Sequence, residues 1–437
     1  MTSGQPGARP LDGIRVLDFT GAWAGPMATR SLAFLGAEVI KIEGPSRMDS
    51  WRETVAGVEK SRYPDLIRGE RPYNRSFRFN SQNHDKLALS LDLKSPAGVQ
   101  IALDLARVCD VVVDNFSPGV MESLGLGYQA LCEVRPDLIM VQMPAYGSSG
   151  PDAYAVAFGP NMEAMTGMAS LMGYGGEDET PVLTSNAYLD PIGGLHGAAA
   201  VLTALMYRSR TGRGQHVEVP QRETAMQFAG ELLLEQVETG EVFVPRGNAV
   251  PYAAPHDAFP ALGEDEWIAI AVLDDQQWLV LCETLGCGPL AADPDFATAD
   301  GRRHNAVRLH QELSSGTIQQ DKWALAEQLQ SRGVPAAPVC TGKDVAENPH
   351  LVSRGVFVEV DHAEAGRRRY PALGYRLEST PGRIDRASPL YGEHNHRVLS
   401  DLLGMSDQQI DQLEASGVIA SAPRTGPSAT IPKEKVL

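Results

Sequence analysis

The sequence predicts an α/β protein with a doubly wound, Rossmann-like large domain and a smaller α/β domain. Three observations carry this expectation. Residues 11–43 read as a complete strand–helix–strand unit. Short apolar strands at Asp110–Asp114 and Leu138–Met143 each run into a turn rich in ligand-contacting residue types. The 437 residues also exceed what a single hydrophobic core usually serves.

Taken in order, Leu11 to Thr20 alternates as a strand through Ile14, Val16 and Phe19. Gly21, Gly25 and Pro26 turn the chain into a helix that buries Met27, Leu32 and Leu35 and stops at Gly36. Ala37 to Glu43 is a second strand ending in an acid. The glycine fingerprint of dinucleotide sites is absent, since neither Gly21 with Gly25, nor Gly125-Leu-Gly127, nor Gly173-Tyr-Gly175 completes G-x-G-x-x-G. NAD and FAD are therefore not expected.

Gly44 to Arg78 is a long polar excursion in which Arg47, Arg52 and Arg75 are candidates for phosphate contact, against the alternative of solvated surface charge. Leu87 to Leu93 alternates as a strand, and Lys94-Ser95-Pro96 opens a helix that runs to Val108. The strand Asp110–Asp114 leads into Asn115-Phe-Ser-Pro-Gly119, and Leu138–Met143 leads into the loop Pro144–Pro151. In doubly wound sheets such strand ends line the binding crevice. Met162, Met165, Met168 and Met172 are spaced as one helix face, either core or a pliable apolar wall for an acyl group.

Asn186 to Gly197 places one carboxylate, Asp190, where extended chain enters an apolar helix, with glycines beside it. It is either a helix cap or a reactive group. After that helix come the turn Thr211-Gly-Arg-Gly-Gln215 and the strand His216–Val219. Residues 222–247, which look helical and then loose, and the loose stretch 341–385 divide the chain into 1–221, 248–340 and 386–437. The middle segment carries the strand Trp267–Val272, a helix after Asp274 and another from Lys322 to Gln330. Ser406 with Gln409 forms a capping box for a last helix, followed by a loose tail from Ala422.

A net charge of -17 argues against nucleic acid and anionic membrane as partners, although it allows a local basic pocket. Five scattered cysteines without a C-x-x-C pair suggest neither a disulfide framework nor a zinc site. The N-terminus has no apolar signal core and no apolar run reaches the length of about 18 residues expected of a membrane span, so a cytoplasmic location is expected. Gly147-Ser-Ser-Gly150 has the wrong spacing for a nucleophile elbow, and His394-x-His396 and His256-Asp257 are too small a set for a metal, so none is expected. A carboxylate acting as nucleophile or base in a dry crevice remains, and Asp190 is best placed for it.

The chain resembles the class III CoA-transferases, the family of formyl-CoA transferase and carnitine CoA-transferase, with α-methylacyl-CoA racemase as a branch. The resemblance runs from Leu11 to about Ile419 and rests on Leu11-Asp-Gly-Ile-Arg-Val-Leu-Asp-Phe, Ala24-Gly-Pro, Leu35-Gly-Ala-Glu-Val-Ile-Lys-Ile-Glu43, Asp114-Asn-Phe-x-Pro-Gly119, Leu124-Gly-Leu-Gly-Tyr128, Thr211-Gly-Arg-Gly-Gln215, Gly333-Val-Pro-Ala336 and Gly392-Glu-His394. It implies that Asp190 is the nucleophile, forming an acyl anhydride and then an aspartyl-CoA thioester, with an acyl-CoA and a carboxylic acid as substrates. It also implies CoA contacts at Trp23, Ala24, Leu91, Lys94, Asn115, Phe116, Ser117 and Tyr146.

Within that reading Gly193 and Gly194 are the expected oxyanion donors. Gly44 stands where many members have an arginine, so Arg47 is expected to replace it, and Ser123 likewise replaces an arginine. Phe158 and Gly159 match the His-Asp pair of the racemases, which favours transfer over racemisation. A racemase or isomerase, and an inactive CoA-binding subunit of a hetero-oligomer, are the alternatives. The resemblance further implies an interlocked homodimer whose large domain combines residues 1–221 with the returning segment 386–437, and whose small domain is 248–340.

Overall fold

A computed structural model describes residues 8–52, 60–155, 157–175, 180–184, 186–241 and 244–424. The expected tail therefore lies outside the described residues beyond Arg424. Two compact units are formed, one from Met1–Met168, Leu183–Glu235 and Arg354–Leu437, the other from Ala169–Val182 and Gln236–Ser353.

The first unit is built on six parallel strands, β1 (Arg15–Asp18), β2 (Glu38–Glu43), β3 (Lys86–Ser90), β4 (Val111–Asp114), β5 (Ile139–Gln142) and β6 (His216–Glu218), in the order β3-β2-β1-β4-β5-β6. The order reverses between β1 and β4, where doubly wound sheets open a crevice. The inner strands β4 and β5 are buried on both faces, which is why they read as nearly continuous apolar runs. Val16, Val39, Val111, Val113, Ile139 and Val141 join one core, while Leu17, Ile40, Leu89, Val112 and Met140 join the other.

The helices of this unit that bear on the site are α1 (Ala24–Phe34), α2 (Phe77–Gln82), α3 (Pro96–Val108), α4 (Val120–Ser123), α5 (Tyr128–Val134), α6 (Gly159–Met165), α7 (Leu189–Thr211) and α8 (Gln221–Met226). Helices α1 and α7 cover the first core through Ala28, Leu32, Ala198, Val201 and Ala204. Helix α3 covers the second, together with Val398, Leu399 and Ile410 from the returning segment. Glycines let α1 and α7 approach closely: a Cβ on Gly194 would stand 2.7 Å from the Ala24 carbonyl oxygen, and one on Gly197 3.2 Å from Ala28 Cβ. Among the described residues α7 alone is long and apolar enough to cross a membrane by length and composition. Its glycine and alanine face instead packs on α1.

The second unit has an antiparallel sheet in the order β7-β8-β9, with β7 at His256–Pro260, β8 at Trp267–Ala271 and β9 at Ala336–Pro338. Its core gathers Phe259, Ile268, Ile270, Trp278, Leu313 and Leu329. Asp274 caps the helix Asp275–Thr284 by accepting from Gln277 N, and Asp321 caps Lys322–Ser331. A groove of about 430 Å³ lies wholly within this unit, against His256, Asp257 and Gln330, and no predicted site residue lines it.

The stretch 222–247 is helical at its start, as expected, with most of α8 and the helix Gly230–Thr239. Two other sequence expectations are corrected here. The stretch 341–385 contains the helices Gly342–Glu347 and Pro349–Ser353 and the hairpin β10 (Phe357–His362) with β11 (Gly366–Pro371). That hairpin escapes an apolar pattern because its strands face each other with charges, such as Arg367 on Asp361 at 2.8 Å. The four methionines do not share one helix, because α6 ends at Met165 and a separate turn spans Met168–Leu171; Met162 is buried, while Met165 and Met172 are exposed. The capping box at Ser406 and Gln409 is formed as expected.

Two of the three candidate phosphate arginines are structural. Arg52 is fully buried and forks onto Glu43, with Nε–Oε1 at 2.8 Å and Nη2–Oε2 at 2.9 Å, while its guanidinium lies 3.6 Å from the Phe79 ring centre. Arg75 donates to the Ile67, Pro64 and Glu364 carbonyls. Removing Arg52 would strand a buried carboxylate, so Arg52→Ala is expected to lower the unfolding free energy by about 3–5 kcal/mol, read as a lower denaturant midpoint.

Candidate active site

Helix α7 begins at Leu189, with Tyr188 at its N-cap position, so Asp190 is the second helical residue and not the cap. Its backbone N–H bonds the Ala187 carbonyl at 3.0 Å, which leaves the carboxylate projecting from the first turn. There the partial positive charge of the helix N-terminus favours an anion. The start of α1 acts on it as well, because the Ala24 backbone N–H favours the ionised form of the Asp190 carboxylate.

Asp190 is half-buried, and desolvation raises its pKa from 3.8 to about 6, with the Ala24 N–H as the opposing influence. The carboxyl group is therefore ionised at neutral pH but poorly solvated, the condition that makes a weak nucleophile more reactive. Activity is expected to rise through an acidic limb centred near pH 6, measured as kcat/KM across buffers of constant ionic strength. Because the folded-state pKa lies above the unfolded value, ionisation costs stability. The penalty is absent below about pH 4, grows as pH rises through about 6, and is complete above it. Asp190→Asn is accordingly expected to stabilise the fold by about 1–3 kcal/mol near neutral pH and by nothing at about pH 4, as thermal midpoints at the two pH values would report.

Gly159, at the start of α6, closes one side of the carboxylate. A Cβ there would stand 2.5 Å from Asp190 Oδ2 and 2.4 Å from Ala187 Cβ, so this position has no room for a side chain. Phe158 beside it is exposed. Behind Asp190, Leu189 packs with Tyr146, Met162 and Ala225 in a small apolar cluster that Tyr188 joins. Glu163 is buried in α6, accepting from Thr184 N at 2.9 Å and Thr184 Oγ1 at 3.0 Å.

The predicted contact residues divide into two groups. Trp23, Arg47, Lys94, Phe116 and Ser117 follow β1, β2, β3 and β4 at the carboxyl edge of the parallel sheet, and Arg47, Lys94 and Ser117 are exposed there. Two accessible cations at this edge suit the phosphates of a large anionic substrate. The others are engaged differently. The Leu91 side chain is sealed in the core. Asn115 is paired with Gly21, its Oδ1 accepting from the Gly21 N–H and its Nδ2 donating to the Gly21 carbonyl, both at 2.9 Å. Tyr146 is buried in the cluster behind Asp190.

Gly193 and Gly194 stand in the second turn of α7, where backbone amides belong to the i→i−4 ladder, so packing rather than donation explains them. The amides outside a ladder are those of Ala24 and Gly25 at the start of α1, before Pro26, which has none.

Sequence reasoning missed several residues. Asp49 accepts from Ala22 N at 3.0 Å and from Trp51 N at 2.9 Å. Trp51 lies 5.3 Å from Trp23, centre to centre. Asp114 is buried at the end of β4 and pushed up to about 7 by desolvation, while accepting from Gln142 Nε2 and Phe116 N. A carboxylate closing a strand was the available signal for Asp114. Nothing local marked Asp49.

Comparison with known proteins decides the family. The model of CoA-transferase family III matches residues 11–395. The chain belongs to CoA-transferase family III. It is 31% identical to succinyl-CoA–D-citramalate CoA-transferase of Chloroflexus aurantiacus, over 96% of this chain and 100% of that one. It is likewise 31% identical to mouse succinyl-CoA:glutarate CoA-transferase, covering 94% and 90%, and 29% identical to formyl-CoA:oxalate CoA-transferase of Rhodopseudomonas palustris, covering 94% and 98%. Among solved structures, a CAIB/BAIF family protein from Brucella suis matches with a TM-score of 0.81 at 28% identity, covering 90% of this chain and 100% of that one. This class III CoA-transferase thus has the α/β fold of its family and acts on CoA thioesters. No group of three or more His, Cys, Asp or Glu side chains among its described residues is arranged to hold a metal.

Proposed function

We propose that the protein moves CoA from an acyl-CoA donor to a carboxylic acid by covalent catalysis on Asp190. The observation that supports this best is the placement of Asp190 in the first turn of α7, with the Ala24 N–H of α1 favouring its ionised form and the bare Gly159 at its side. The carboxylate adds to the thioester carbonyl, the C–S bond breaks, and CoA leaves as thiolate. The thiolate then attacks the aspartyl carbonyl of the mixed anhydride and releases the donor acid. The acceptor carboxylate attacks the aspartyl thioester, regenerating a thiolate, which takes the new acyl group and frees Asp190. No water is consumed, so desolvation both activates the carboxylate and protects the anhydride. The amides of Ala24 and Gly25 are the proposed donors to each tetrahedral oxyanion. Trp23, Arg47, Lys94, Phe116 and Ser117 are the proposed contacts to CoA.

A partner acid or base beside Asp190, which racemisation would need, has no space at Gly159. The aromatic pair Trp23–Trp51 next to Ala24 favours an acceptor bulkier and less polar than oxalate, in keeping with the substrates named for the citramalate and glutarate relatives. The test is CoA exchange from succinyl-CoA to a panel of mono- and dicarboxylic acids. Transfer to acids of four or more carbons is expected, and dependence on oxalate or formate would contradict the substrate class. We further propose a homodimer, located in the cytoplasm. The exposed Leu195, Met206 and Tyr207 on α7, with Phe228 nearby in sequence, leave apolar surface for a second copy to cover. Sedimentation of a stable monomer at micromolar concentration would refute the dimer.

A further inference from the structure

The segment from Thr20 to Trp23 joins β1 to α1 and is tied down by side chains at each of its first three residues. Asp18 Oδ1 accepts from the Thr20 N–H at 2.9 Å, and Lys41 Nζ donates to the Thr20 carbonyl at 2.7 Å. Asn115 holds both backbone groups of Gly21. Asp49 Oδ1 accepts from the Ala22 N–H at 3.0 Å. Ala22 has φ of +61°, the left-handed region that residues with a Cβ rarely hold without outside support.

Asp49 is itself fixed from several sides. Its Oδ2 pairs with the fully buried Lys41 of β2 at 2.9 Å, and its N–H donates to Glu43 of the same strand at 3.1 Å. Arg52 neutralises Glu43, and Lys86 from β3 pairs with Asp18 at 3.0 Å. The charges around Asp49 are therefore Lys41, Glu43, Arg52, Asp18 and Lys86, all locked in buried pairs. Two residues after Ala22 comes the Ala24 amide, which favours the ionised form of Asp190.

We propose that Asp49 is a positioning residue for CoA transfer: by holding Ala22 in its left-handed conformation it aims the N-terminus of α1, and so the Ala24 N–H, at the carboxylate of Asp190. This inference rests on Asp190 being the nucleophile. Misplacing a donor by about 1 Å suffices to cost on the order of a hundredfold in rate, without weakening the remote contacts that bind the substrate.

The experiment measures kcat, KM for the acyl-CoA, and the pH dependence of kcat/KM for Asp49→Ala, Asp49→Asn and Ala22→Val beside the native enzyme and Asp190→Ala. Asp49→Ala is expected to lower kcat by about 10- to 100-fold with KM within about threefold. It should also move the acidic limb upward by about half to one unit, because Asp190 loses the donor that favours its ionised form. Asp49→Asn keeps an oxygen for Ala22 N–H and should recover part of the rate. Ala22→Val disturbs the same backbone without stranding Lys41, and it gives the same upward shift even if the Asp49 variants do not fold. An acidic limb unmoved in Ala22→Val and in whichever Asp49 variant folds overturns the proposal. If Asp190→Ala itself retains exchange, the nucleophile reading falls and the positioning role with it; an inactive Asp190→Ala beside an unmoved limb removes only the role of Asp49.

Discussion

Asp190→Ala is expected to reduce CoA transfer by at least about a thousandfold while leaving acyl-CoA affinity within several-fold. In the proposed mechanism the carboxylate attacks the donor thioester and its own carbonyl then carries CoA until the acceptor acid displaces it, so the variant has no group for either step. The lesion should be purely chemical. The α7 backbone starts without help from this side chain, and removing a carboxylate whose pKa is raised to about 6 relieves strain rather than creating it. A variant that is inactive, folded and somewhat more thermostable near neutral pH separates a reactive residue from a merely structural one. Exchange that survives within tenfold would contradict the mechanism.

Gly159→Ala is expected to have the next largest effect, lowering kcat by on the order of a hundredfold. The added Cβ would meet Asp190 Oδ2 at 2.5 Å and Ala187 Cβ at 2.4 Å, distances that force either the carboxylate or the start of α7 to move. A stability cost of about 1–3 kcal/mol should accompany the loss. Gly230→Ala is a matched control, since a Cβ there meets nothing within 4 Å and Gly230 begins a helix. That substitution is expected to be neutral or slightly stabilising, by up to about 1 kcal/mol. Comparing kcat and denaturant midpoints for the pair checks both statements, and a Gly159→Ala enzyme with native kcat would show that the pocket does not confine Asp190.

The doubly wound sheet was legible because its strands are buried on both faces and carry unbroken apolar runs, as at Val111–Val113 and Ile139–Val141. Helix α3 announced itself through Ser95-Pro96, and the last helix through Ser406 and Gln409. The hairpin β10–β11 was not legible, because it is a charged ladder in which Arg367 and Asp361 face each other instead of alternating with apolar residues.

At the site, the local sequence left Asp190 as either a helix cap or a reactive group, and the family resemblance supplied the nucleophile's role. The proposed donor was not legible, because the sequence places Gly193 and Gly194 next to Asp190 while the fold brings Ala24 from a distant part of the chain. Adjacent glycines serve helix packing, and the proposed donors are amides that helix geometry leaves outside the ladder. Asn115 and Asp49 illustrate the same limit. A polar side chain beside a crevice reads as a ligand contact, but Asn115 folds inward to hold Gly21, and Asp49 does the same for Ala22.

The most direct measurement of the central claim is chemical trapping at Asp190. The native enzyme is incubated with an acyl-CoA and quenched with hydroxylamine or borohydride, and its peptides are analysed by mass spectrometry. A hydroxamate or alcohol on the peptide containing Asp190, dependent on the acyl-CoA and lost in Asp190→Asn, is the predicted result. An enzyme that turns over in the same tube yet never carries a modification at Asp190 would contradict covalent transfer through this residue.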